Sequence, residues 1–67
     1  MLAIELQIRL KELQAERLMA TDEGIAVGSA YMAHLDGEIA DTSRAYIQAA
    51  VTEIATLRAE LFGPQVG

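Results

Sequence analysis

Residues 41–63 read DTSRAYIQAAVTEIATLRAELFG and predict the clearest amphipathic helix of the chain. Apolar side chains recur there at steps of three and four residues, which places them on one helix face: Ile47, Ala50, Ile54, Leu57 and Leu61. Asp41, Thr42 or Ser43 can cap the start by accepting a backbone hydrogen bond. Gly63 and Pro64 end the pattern, because glycine tolerates a left-handed turn and proline cannot continue the helix. We therefore expect a helix over about 42–62, with four of its apolar residues in the core: Ile47, Ile54, Leu57 and Leu61.

The N-terminal stretch carries two conflicting signals. Over residues 2–10 apolar and polar side chains alternate, which is typical of a strand. The same residues, and KELQAERLMA after them, are good helix formers that no glycine or proline interrupts. Glu5 and Arg9 also stand four residues apart in the orientation that favours a helix. We therefore predict a helix over about 2–20.

This first helix has apolar side chains on two nearly opposite faces. One face is expected to join the core through Leu6, Leu10 and Leu13. The other contains Ile4, Ile8, Leu18 and Met19. A helix with two apolar faces requires two partners, and the second helix of this short chain supplies only one. We expect the second face to contact another subunit or a larger partner.

The middle of the chain admits two interpretations. TDEG at 21–24 reads as a turn, and Asp36-Gly37 between half-apolar runs is a β-hairpin signal. The first interpretation is a short hairpin with strands at 29–35 and 38–41 inside a hairpin or irregular segment at 24–41. The fold is then mainly α, an α+β single domain of two helices flanking a β-hairpin, with a tail at 63–67. The alternative continues a helix through 29–40 and gives an all-α helical hairpin.

Composition restricts the function classes. The chain has 67 residues and no cysteine, so no disulfide or thiolate metal site can reinforce so small a core, and oligomerisation is expected. The net charge of −5, with scattered basic residues, argues against direct sequence-specific nucleic-acid binding. The apolar runs are too short for a membrane span, and the N-terminus does not resemble a signal peptide. We expect synthesis in the cytoplasm.

Residues able to carry chemistry are few. His34 is the single histidine, and the acidic residues at 22–23 and 36–41 lack the spacing of a calcium loop. Glu53 and Glu60 fall on the polar side of the C-terminal helix, and an exposed helix face gives no reason to expect acid–base catalysis there. We predict no catalytic residue, no cofactor, no metal site and no enzymatic activity.

The predicted order of helix, hairpin and helix resembles the gpW-type head-to-tail joining proteins of tailed phages. The resemblance is carried by Leu18-Met19-Ala20-Thr21 at the end of the first helix, Asp36-Gly37 at the hairpin tip and Tyr46-Ile47 in the second helix. It implies a non-enzymatic virion neck component, several copies of which pack between portal and tail.

We expect a structural or assembly protein that acts through helix-mediated subunit contacts. One alternative is a ribbon-helix-helix regulator or antitoxin, with residues 2–10 as the strand that reads DNA. Another is an acidic inhibitor that masks a basic site on a host protein.

Overall fold

The chain folds as an antiparallel pair of helices in a computed structural model that describes residues 1–63. The helices are α1 (Ala3–Asp22) and α2 (Ala30–Phe62), and the described residues contain no strand. The Ala3 amide lies 2.6 Å from the Glu53 carboxylate, and Arg17 lies 2.6 Å from Asp36, which fixes the antiparallel order. The all-α helical hairpin is therefore confirmed, and the predicted β-hairpin is wrong.

The segments expected to form strands lie inside α2. Asp36 is not a turn residue: its Oδ1 accepts a hydrogen bond from Arg17 Nε, which ties α2 to α1. Gly37 keeps a negative φ. A glycine inside a helix costs only about 0.5–1 kcal/mol, which the contacts between the helices can offset. The helix begins after Ser29, whose Oγ accepts a hydrogen bond from Met32 N at 3.2 Å, so the predicted caps at 41–43 are wrong.

The connection between the helices starts with Gly24, the residue after the C-cap Glu23 of α1. Gly24 has φ +86°, the left-handed conformation that glycine adopts without steric cost. Its amide donates to the Thr21 carbonyl, and the Ile25 amide donates to the Ala20 carbonyl, both at 3.0 Å. This pair of bonds is the Schellman motif that ends many helices. Ile25 then packs against the core, so the motif turns the chain back along α1.

The core is small and lies towards the connected end of the hairpin. Its buried residues are Leu13, Ala20, Met32 and Leu35, and the half-buried Ile25 and Ile39 pack against them. Of the residues of α1 expected in the core, Leu13 is buried and Leu6 and Leu10 are half-buried.

The predicted core residues of α2 are exposed in the single chain. Ile47, Ile54, Leu57 and Leu61 are between 54% and 60% exposed, so their placement in the core of one chain is wrong. Ile47 lies within the length that α1 accompanies, but on a part of the helix surface that α1 leaves exposed. For Ile54, Leu57 and Leu61 the physical reason is the length of α2. Helix α1 begins opposite Glu53, so residues 54–62 extend past it by about 13 Å at 1.5 Å per residue.

Helix α2 ends at Gly63, although not by the expected left-handed turn. Gly63 has φ −60° and ψ 164°, an extended conformation. A Cβ at this position would overlap the Ala59 carbonyl oxygen, so close approach of the backbone explains the glycine. The rest of the predicted tail, residues 64–67, lies outside the described residues.

Candidate subunit interface

A continuous apolar surface lies along the second half of α2. We define the α2 seam as Ile47, Ala50, Ile54, Leu57 and Leu61. Ala50 is half-buried and the other four are exposed. Every residue from 51 to 62 is exposed. Helix α1 begins opposite Glu53, so residues 54–62 extend past it.

The spacing of the α2 seam is that of a coiled coil. Ile47, Ile54 and Leu61 recur every seven residues and occupy position a of a heptad, while Ala50 and Leu57 occupy position d. Val51 and Arg58 then fall at position e, and Glu53 and Glu60 at position g. The seven-residue recurrence was visible in the sequence, where the stripe was interpreted as the core of a single chain.

A second apolar surface lies on the side of α1 away from α2. We define the α1 outer stripe as Ile4, Ile8, Leu18 and Met19, which are 53–64% exposed. Their exposure agrees with the two-faced pattern, and their role in an interface stays a prediction. Lys11 and Ala15 stand between Ile8 and Leu18 at the same helical spacing, so the middle of this stripe carries a charge and a small side chain.

At the open end of the hairpin, two carboxylates accept hydrogen bonds from the N-terminus of α1, and one of them belongs to α2. The Leu2 amide donates to Glu5 Oε1 at 2.8 Å, and the Ala3 amide donates to Glu53 Oε2 at 2.6 Å. Leu2 is the N-cap residue of α1 and Ala3 is its first residue, so both carboxylates lie at the helix N-terminus, where a negative charge interacts favourably with the helix dipole. Glu53 therefore caps α1 from α2, a role that no local pattern indicates because fifty residues separate the partners.

The polar groups between the helices are paired. Arg9 approaches Glu38 at 3.6 Å, and His34 Nε2 lies 3.1 Å from Glu38 Oε1 one turn away on α2. His34 is thus a surface residue beside a carboxylate. Asp41, from the acidic run at 36–41, pairs with Arg44. In the part of the chain that the structure describes, no group of three histidine, cysteine or acidic residues could hold a metal ion.

An acidic cleft of about 400 Å³ lies near the connection between the helices. Its lining includes the apolar Met19 and Ile25 and three acidic residues, Glu12, Glu16 and Glu23. Glu16 accepts a hydrogen bond from the Tyr31 hydroxyl at 2.8 Å. That bond, some burial and the negative charges of Glu16 and Glu23 all raise the pKa of Tyr31 above its usual range. The neutral Tyr31 hydroxyl of α2 therefore donates to Glu16 of α1 and joins the two helices at this end.

No helix within residues 1–63 combines the length and the hydropathy that crossing a membrane requires. Comparisons with protein-family models, with curated proteins and with solved structures find no match.

Proposed function

We propose that this protein is a non-enzymatic assembly protein that acts through contacts between exposed helix faces of its subunits. One observation carries the proposal: four buried residues make up the core, while the α1 outer stripe and most of the α2 seam remain in water. Burying one such aliphatic side chain is worth roughly 1.5–3 kcal/mol. Association would therefore bury apolar surface that the chain's own core leaves in water.

The arrangement of the exposed residues supports an interface over a random scatter. Single exposed apolar residues are ordinary on protein surfaces, whereas contiguous apolar stripes mark interaction sites. From residue 47 onward the exposed apolar residues of α2 follow one helix face through two heptads, and those of α1 follow another. The polar groups between the helices are meanwhile paired within the chain.

The narrower alternatives stay predictions. The joining role in phage necks was implied by an order of elements that included a β-hairpin, and residues 1–63 contain no strand. A ribbon-helix-helix regulator requires a strand at 2–10, where the chain forms α1. An acidic inhibitor would bind a basic site through negative surface charge, and the net charge of −5 is compatible with such binding.

The proposal is tested by removing each face in turn and measuring molar mass by light scattering. One variant carries Ile4→Ser and Ile8→Ser on the α1 outer stripe, and another carries Ile54→Ser and Leu57→Ser on the α2 seam. At least one of them should lower the mass found for the native chain while retaining most of the helical circular dichroism. These side chains are exposed, so their replacement should reduce the stability of the hairpin itself only slightly.

Leu6→Ser with Leu10→Ser is the matched control, because those half-buried residues face the hairpin interior and should reduce the helical signal as well. A native chain that stays monomeric at micromolar concentration would contradict the proposal. An oligomer whose mass neither surface variant changes would contradict it equally.

A further inference from the structure

We infer that the α2 seam binds a second copy of this chain, as a parallel two-stranded coiled coil in register, with Glu53 of each chain facing Arg58 of the other. The inference rests on the assembly function proposed above and names its partner. It follows from the heptad spacing of the seam, from the charges beside it and from the length of α2 that α1 leaves uncovered.

The seam has the residue types of a two-stranded parallel coiled coil. Position a is occupied by Ile47, Ile54 and Leu61, and Leu57 occupies position d. A β-branched residue at a with leucine at d favours parallel dimers. Ala50, at the other d position, is small and already half-covered by the hairpin, so the second helix can approach closely there.

The charges that flank the seam decide the orientation. In a parallel coiled coil, position g of one chain lies beside position e of the next heptad in the other chain. Glu53 at g then faces Arg58 at e of the second copy, and symmetry forms this pair twice. In an antiparallel pair g faces g, which would bring Glu53 and Glu60 of the two copies together. Like charges at this spacing are destabilising, so the parallel order is favoured.

Both partners of this pair are accessible. Arg58 is exposed and makes no ion pair within residues 1–63. Glu53 is exposed, and its Oε2 accepts the Ala3 amide, while Oε1 accepts no hydrogen bond from the described residues. The same carboxylate can therefore cap α1 and face the guanidinium of a second copy.

Helix α2 is also held in place before the second copy binds. A coiled coil of two heptads is marginal if its helices must form during association. Here residues 30–53 of α2 are packed along α1, and the seam continues the same helix past the start of α1. The α1 outer stripe is less suited to self-pairing, since Lys11 would meet its own copy in the middle of the contact.

The test uses engineered cysteines in the full-length chain, which has none of its own. In the parallel register each Ala50 faces Ala50 of the second copy, so Ala50→Cys should give a disulfide-linked dimer under mild oxidation. Ala59→Cys, at the heptad position farthest from the seam, is the matched control and should remain monomeric on denaturing gels. In an antiparallel coiled coil each position d packs against a position a of the other chain. In the register that brings Glu53 beside Glu60, a mixture would therefore link Ala50→Cys chains to Leu61→Cys chains, and this result would overturn the inference.

A charge exchange tests the register without a disulfide. Glu53→Arg and Arg58→Glu should each raise the dissociation constant about tenfold, the equivalent of roughly 1.4 kcal/mol, because two pairs become repulsive. The double exchange should restore affinity, although Glu53→Arg alone also removes the cap of α1. Single and double exchanges that bind equally would overturn the inference.

The two proposals fail in different ways. A chain that associates, yet gives no Ala50→Cys dimer, refutes the parallel α2 contact and leaves the assembly function standing. A chain that neither associates nor crosslinks refutes both.

Discussion

Gly24 and Gly37 have opposite conformations, and the same substitution should have opposite effects at the two sites. Gly24 has φ +86°, which an alanine adopts at a cost of about 1–2 kcal/mol. Gly37 lies inside α2 with open space where a Cβ would stand. Alanine at that position should stabilise the helix by about 0.5–1 kcal/mol.

We therefore expect Gly24→Ala to lower the denaturation midpoint in urea and Gly37→Ala to raise it. The second substitution also tests the corrected fold. A type I′ turn at 36–37 would need positive φ at Gly37, and alanine there would destabilise the protein. A lowered midpoint for Gly37→Ala would thus contradict the continuous helix.

Helix α2 has two parts that differ in whether α1 covers them. Residues up to Glu53 pack along α1, whereas residues 54–62 have solvent on every side in the single chain. Isolated helical turns are marginal in water, and most helical stability in proteins comes from packing. The uncovered end should therefore open more often than the covered half.

Hydrogen exchange measured at several protein concentrations checks this expectation. Amides of residues 54–62 should exchange fast in dilute solution. They should become protected as concentration rises if, as proposed, a second copy covers the seam. Amides around Leu13, Met32 and Leu35 should be protected at every concentration, because these residues form the core of each chain. Exchange at 54–62 that does not depend on concentration would contradict the interface on α2.

Both helices could be predicted from the sequence, whereas the start of α2 at Ala30 could not. For α1, helix-forming composition outweighs the period of two at residues 2–10. For α2, Asp36-Gly37 imitates a turn, since a sequence does not show that Asp36 will meet Arg17 of the other helix. The Ser29 cap was the local signal for the true start.

The candidate site could be predicted only in part. Periodicity places Ile47, Ile54 and Leu61 on one face, but it does not say whether a helix of the same chain covers that face. The answer depends on where α1 begins relative to Glu53, which is a property of the folded pair. The same limit explains why residues expected in the core of one chain are exposed.

The whole molecule is a thin hairpin with a small core. Below about 70–80 residues a single core seldom supplies more than 3–5 kcal/mol, and this chain has no disulfide to add to it. A second copy along α2 would bury the seam of both chains at once. Folding and association would then be linked events, and the thermal midpoint should rise with protein concentration.

The most direct test of this central claim is sedimentation equilibrium of the native chain across the micromolar range, beside Ile54→Ser and its matched control Ala59→Ser. The native chain and the control should move from 7.2 kDa towards twice that mass as concentration rises, and Ile54→Ser should remain near 7.2 kDa. A native mass of 7.2 kDa throughout, with a thermal midpoint independent of concentration, would contradict the claim.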